Sequence, residues 1–310
     1  MTATATTHQP VIKQFEHVLK KKGLTQEAVA RQMGISQTRL NLVIRGKYPG
    51  KREPVLKKMD TWLKHDEERD RLRIKEIGWV STKSGERVQN TLRFAHVLSK
   101  FCIIFGAPGL GKTIAARHYA ATNLGVKLIT IAPSINTIFA LYREILKAVT
   151  GGTARRAMIY CRAEALEALQ VENTLLIVDE AQHLSQKQLE ELRYLWDQTG
   201  MGLVLMGNES VYSSITGAAH RAEFAQLFSR VSRGLHVPNT SRQDVVSIAH
   251  AWGITNKEML NILWEIASKK RGGLRTVTST IEYASVLAKG GDGEVTTELL
   301  RAAFNELVTG

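Results

Sequence analysis

Residues 106–113 read GAPGLGKT. An apolar run, FCIIF at 101–105, leads in, and a helix-like stretch, IAARHYAAT at 114–122, leads out. The octet matches GxxxxGK followed by Ser or Thr, and strand–loop–helix is the setting in which that pattern cradles phosphate. Gly106, Gly109 and Gly111 let the backbone curl so that its N–H groups face phosphate oxygens. Ala107, Pro108, Leu110 and Ile114 complete the cradle, and the helix that follows adds its positive end. Lys112 is expected on the β- and γ-phosphates, and Thr113 on Mg²⁺ through its hydroxyl.

A second stretch answers the first. LLIVDEAQHL at 175–184 is four apolar residues ending in two acids. Asp179, at the strand end, is placed to hold the Mg²⁺ shell, and Glu180 to orient and deprotonate an attacking water. Ser185 with Gln188 three residues on reads as a capping box opening a helix. LVLMGN at 203–208 is a further buried strand, and its terminal amide, Asn208, is a candidate for the γ-phosphate or the lytic water.

Apolar runs at 101–105, 127–131, 174–178 and 202–206 alternate with helical patterns. That alternation predicts an α/β fold with a parallel sheet covered on both faces. After about residue 240 only helical periodicity continues, near 241–252, 256–269, 274–288 and 296–308.

The N-terminal third differs. Residues 1–90 carry 19 Lys and Arg against 10 Asp and Glu, within a net charge of +13 for the 310-residue chain. Such a surplus points to a polyanion, nucleic acid before an acidic membrane. LTQEAVARQMGISQTRLNLVIR at 24–45 predicts two short helices capped by Thr25 and Ser36 around a turn at Gly34. Gln37, Thr38, Arg39 and Asn41 would then lie at the exposed start of the second helix, where such residues read bases. Arg45, Lys47, Lys51 and Arg52 follow as phosphate contacts. This stretch resembles the DNA-binding domains of lambda-type phage repressors.

The two cysteines, Cys102 and Cys161, have no CxxC neighbour, which argues against a disulfide frame or a zinc site. No apolar run reaches the ~18 residues that span a bilayer. A reducing, cytoplasmic setting in a bacterial host is expected, with no membrane partner. The expected boundaries are 1–64 for the helix-turn-helix domain, 65–90 for a charged linker, 91–240 for the α/β core and 241–310 for a helical part.

The phosphate loop, the DE pair and the strand-end amide together resemble the AAA+ ATPases over roughly residues 88–308. That resemblance implies an AAA+ P-loop parallel sheet with a helical lid, preceded here by an all-α helix-turn-helix domain. It implies a γ-phosphate sensor at Asn208. It further implies an arginine serving the next subunit's nucleotide, Arg230 in EFAQLFSR or, second, Arg233, and a lid arginine, Arg275 in GGLR. DEAQ is also similar to the acid box of two-lobed helicases, but the chain beyond Glu180 is too short and too helical for a second lobe.

The whole order resembles the target-selecting transposition ATPases of transposing phages. GKYPG, TWLKH, LRFAHVLSKFCIIFGAPGLGKT, GLVLMGNESVYSSITG and EFAQLFSR carry the likeness nearly end to end. It implies ATP and Mg²⁺ as cofactors and ATP-dependent self-assembly, as a helical filament, on double-stranded DNA with little sequence preference. It also implies delivery of that DNA to a DDE-type transposase, stimulation of hydrolysis by DNA and that partner, and release on hydrolysis. Arg155, Arg156, Lys187, Lys269, Lys270 and Arg271 are candidate filament contacts with DNA. An ATP-gated transcription regulator and an AAA+ replication loader are the competing readings.

Overall fold

In the computed structural model, the described residues are 9–72, 77–152, 158–216, 230–269, 273–290 and 293–309. They form four helices, then a five-stranded sheet with helices on both faces, then four more helices. They divide into two units, residues 1–75 with 289–292, and residues 76–288 with 293–310.

In the first unit, α1 (Gln9–Lys22) precedes α2 (Gln26–Gln32) and α3 (Gln37–Ile44), and α4 (Glu53–Leu72) closes the bundle. Thr25 accepts the N–H of Ala28, and Ser36 that of Arg39, so each short helix begins on a hydroxyl cap. Helices of seven and eight residues are too short to persist alone. Burial holds them: Phe15, Val29, Leu40, Val43 and Met59 are almost wholly withdrawn from solvent. Phe15 meets Trp62 edge-on at 5.3 Å, and the Trp62 indole N–H donates to Gln32.

The charged stretch 65–72 is not linker. It continues α4, where Asp66 is buried and takes Lys22 at 2.7 Å. Residues 83–90 are not linker either. They are the first half of α5 (Lys83–Val97), whose Val88, Leu92 and Ala95 pack under the sheet. Charge density misled in the first case, and a run of small polar residues around a helix cap in the second.

The sheet order is β2-β3-β4-β1-β5, every pair parallel. The strands are β1 (Phe101–Phe105), β2 (Val126–Thr130), β3 (Leu175–Asp179), β4 (Gly202–Gly207) and β5 (Val231–His236). β1, β3 and β4 are buried along their whole length, as continuous apolar runs require. One face is covered by α5 and α6 (Lys112–Thr122), the other by α7 (Ile138–Thr150), α8 (Met158–Leu169) and α9 (Gln186–Thr199). The sequence shows no strand at β5, because VSRGLH is an edge strand with mostly exposed side chains. Between β4 and β5, α10 (Glu209–Thr216) is described.

The last four helices, α11 (Arg242–Ala251), α12 (Lys257–Ser268), α13 (Gly273–Lys289) and α14 (Thr297–Thr309), share their own core around Val245, Leu263, Val277, Ile281 and Leu300. A buried carboxylate fastens this part to the sheet side. Asp244 caps α11 through Ser241 and accepts the Ser84 hydroxyl at 2.8 Å and the Ser84 N–H at 3.3 Å.

Candidate nucleotide-binding site

All five strands run the same way, so the loops after β1, β3 and β4 emerge at one end of the sheet. In such sheets that end is where ligands bind. The three sequence signals converge there on a pocket of about 490 Å³. Pro108 to Ile114, Glu180, Asn208 and Arg275 all line it.

The loop after β1 passes close to the edge strand. A Cβ on Gly106 would stand 2.6 Å from the carbonyl of Val237, and its φ of 150° is one that side-chain-bearing residues rarely adopt. Lys112 is buried, and its ammonium donates to the carbonyls of Gly106 and Ala107, both at 2.8 Å. Burial lowers its pKa against the opposing pull of Asp179, Glu180 and Glu209. A buried cation held by the carbonyls of its own loop can exchange them for the oxygens of a polyphosphate.

Asp179 is 2% exposed. Its Oδ2 accepts the Thr113 hydroxyl at 2.8 Å, and its Oδ1 the N–H of Glu180 at 2.9 Å. Burial raises its pKa, partly offset by those two hydrogen bonds. Among the described residues no group of three or more His, Cys, Asp or Glu forms a metal cage. One hydroxyl beside one carboxylate is, however, the hard-oxygen pair that suits Mg²⁺ completed by phosphate and water.

Glu180 is half-buried, on a left-handed backbone (φ 57°, ψ 35°). Asn208 spends its Oδ1 on the N–H and hydroxyl of Ser210, at 2.9 and 2.6 Å, at the start of α10. Its Nδ2 is left as the group a phosphate oxygen can use. Arg275 reaches the loop through its backbone, whose N–H donates to the Gly109 carbonyl at 3.2 Å.

Half of the pocket lies outside the sequence expectations. Ile77, Gly78, Trp79, Val80 and Thr82 line it, with Ile248, Trp252 and Leu274 from the helical part. Trp79 stacks on His118 at 4.9 Å, with 8° between the planes. Gly85 leaves it room, since a Cβ there would stand 2.5 Å from the indole. This apolar wall suits a nucleobase. The one signal for it in the sequence is a tryptophan inside IGWVS, flanked by charge. Gln182 was also missed, and it touches both Glu180 and Asn208.

Arg230 and Arg233 are not at this site. Arg230 precedes β5, and Val231 pairs with Phe101, so Arg230 lies at the opposite end of the sheet. Roughly 15 Å of strand, at about 3.3 Å per residue, separates it from the phosphate loop. It is ion-paired with Asp197 of α9 at 2.7 Å. Arg233 lies over the Phe94 ring at 5.9 Å.

On α3, Gln37, Thr38, Asn41, Leu42 and Arg45 line a shallow concavity of about 170 Å³. Gln37, Thr38, Arg45 and Lys47 are exposed. Arg39 departs from expectation: it is half-buried, with its guanidinium 5.2 Å from the centre of the Tyr48 ring. Lys187 is exposed near the start of α9, and the Lys269 ammonium sits 4.4 Å over the Phe304 ring. Arg155, Arg156, Lys270 and Arg271 lie outside the described residues, as does most of EFAQLFSR.

Sheet order, phosphate loop and acid pair define an AAA-type P-loop ATPase fold joined to a helix-turn-helix unit. Residues 97–215 match the family model described as an AAA domain, and residues 16–59 the helix-turn-helix model. Residues 229–307 match the model for the C-terminal part of the Mu B transposition protein. The chain belongs to the Mu B family of transposition proteins. It is 34% identical to the ATP-dependent target DNA activator B of Escherichia phage Mu over 94% of this chain and 92% of that protein. It is 31% identical to the Mu-like prophage FluMu DNA transposition protein B of Haemophilus influenzae over 87% of this chain and 94% of that one. Among solved structures, the Aeropyrum pernix ORC2 protein shares the fold, with a TM-score of 0.57 at 18% identity over 77% of this chain and 71% of that one. The Walker-type ATPase of Pyrococcus abyssi does so at 0.51 and 12%, over 77% of each chain. Among the described residues no helix is long and apolar enough to cross a membrane.

Proposed function

We propose that this protein binds and hydrolyses ATP, assembles on double-stranded DNA in the ATP state, and presents that DNA to a DDE-type transposase. The observation that carries the nucleotide half is the convergence of Lys112, Thr113, Asp179, Glu180, Asn208 and Arg275 on one pocket with an apolar wall for the base. The DNA half is supported by the basic N-terminal third and by relatives described as ATP-dependent target DNA activators.

Lys112 exchanges its two loop carbonyls for phosphate oxygens. Thr113 and Asp179 would hold Mg²⁺, which would supply positive charge beside the γ-phosphoryl group. Glu180 takes the proton of the attacking water, and Asn208 Nδ2 and Arg275 hold the γ-phosphate. Arg230, remote from its own pocket, serves the pocket of the next subunit, so ATP joins subunits and hydrolysis, stimulated by DNA and by the transposase, parts them.

Electron microscopy with random-sequence duplex DNA tests this. Filaments should coat DNA with ATP, and be absent with ADP or for Lys112→Ala with ATP. Nucleotide-independent binding, or discrete particles at one site, would overturn it.

A further inference from the structure

Gln182 lies in the 3-10 turn Ala181–His183 that follows the acid pair. Its Oε1 accepts the backbone N–H of Asn208 at 3.3 Å, and its Nε2 donates to Oε2 of Glu180. The orientation of the amide is set by chemistry. A backbone N–H only donates and a carboxylate only accepts, so turning the amide over would lose both contacts.

The glycine at the end of β4 leaves this side chain its room. A Cβ on Gly207 would stand 2.2 Å from Gln182 Oε1 and 2.5 Å from Val211 Cγ2. Gly207 is the last residue of β4, and Asn208 follows it, pinned through Oδ1 to the start of α10. Gln182 therefore joins the end of β4 to the carboxylate that follows β3.

We infer that Gln182 is a positioning residue: it holds one oxygen of Glu180 so that the other faces the attacking water, and it ties that orientation to Asn208. The inference rests on the reading of Glu180 as the general base. A glutamate side chain has three rotatable bonds, and an unheld carboxylate spends most of its time out of line with the water. Losing such alignment costs about 10–100-fold in rate. Because Oε1 of Gln182 is shared with the backbone of the phosphate-sensing residue, a shift of Asn208 on γ-phosphate is felt at Glu180 through one amide.

The test uses the full chain with DNA and measures ATP affinity and single-turnover hydrolysis separately. The variants are Gln182→Ala, Gln182→Glu, Gly207→Ala, Glu180→Gln and the Glu180→Gln/Gln182→Ala double. Gln182→Glu keeps the length but offers Glu180 a second carboxylate in place of a donor. Both Gln182 variants should slow hydrolysis about 10–100-fold with ATP affinity within about threefold. Gly207→Ala should do the same with Gln182 intact. The double should be no slower than Glu180→Gln alone, since an aligned base that is absent cannot be misaligned. Wild-type rates for the Gln182 variants, a parallel loss of ATP affinity, or a double slower than Glu180→Gln by the full Gln182→Ala factor would overturn the inference. Wild-type hydrolysis by Glu180→Gln would instead overturn the reading of the base itself.

Discussion

Arg230 is ion-paired with Asp197 at 2.7 Å, at the end of the sheet opposite the phosphate loop of its own chain. Asp197 also takes Arg193 at 2.9 Å, so the carboxylate is shared by two guanidinium groups. The Arg230 side chain is about half exposed, at 48%, and a half-exposed pair of this kind is worth little. Such a contact parks the arginine without committing it.

A trans role for Arg230 has a definite signature. Arg230→Ala should bind ATP normally and lose about 10³-fold or more in DNA-stimulated hydrolysis. Glu180→Gln, which keeps Lys112 and so ATP-bound assembly, should be equally inactive. Mixed together, the two should recover activity, because in a head-to-tail assembly roughly a quarter of junctions pair an intact Glu180 with an intact arginine. Steady-state phosphate release from the mixture is the measurement, and no recovery would remove Arg230 from the mechanism.

Asp179 makes the apo protein less stable than it could be. Burial raises its pKa, so the folded state holds that proton more tightly than the unfolded chain. The stability from this group is present at low pH and lost as pH rises through the raised value. At neutral pH the buried carboxylate is a cost, as is the buried Lys112 ammonium, whose pKa burial lowers. Asp179→Asn should therefore melt a few degrees higher without ligand. It should also lose the stabilisation that Mg·ATP gives the wild type. For the wild type, that stabilisation should shrink as acid protonates Asp179. Thermal melts across pH, with and without Mg·ATP, check both signs.

The wall around Trp79 should act on the base and not on the phosphates. Trp79→Ala should weaken ATP binding about 5–100-fold, the range of a lost aromatic stack. Inorganic tripolyphosphate should bind as before. Gly85→Ala, which forces a Cβ to within 2.5 Å of the indole, should weaken ATP in the same direction. Calorimetric titration of each ligand separates the two halves of the pocket.

On α3 the exposed residues should behave in two ways. Arg45→Ala should weaken binding to every duplex and lower the slope of log K against log salt by about one. Gln37→Ala should leave that slope unchanged. Fluorescence anisotropy on random-sequence duplexes at several salt concentrations is the check. A Gln37 effect confined to one sequence would point to base reading.

The phosphate loop, the acid pair, the strand-end amide and the two short helices around Gly34 were all legible in the chain. Each is a local signal: a strand, a tight turn and a helix start within ten or so residues, with the chemistry at fixed spacing. β1, β3 and β4 were legible because burial on both faces demands unbroken apolar runs. The edge strand β5 was not, since its side chains are mostly exposed and VSRGLH shows no such run, whereas β2, at the other edge, keeps one in KLITI.

What the sequence determined by itself was therefore the chemistry of the phosphate end and the periodicity of the elements. Tertiary structure alone decided which side chains meet. Trp79 and Trp252 become one wall only when the helical part closes beside α5, and Gln182 reaches Asn208 only because parallel strands bring β3 and β4 to the same end. Arg230 is sent away from its own pocket by the direction of β5. The reason is physical: backbone hydrogen bonding and local caps act over a few residues, whereas contacts across a sheet depend on strand order and direction, which short-range spacing does not encode.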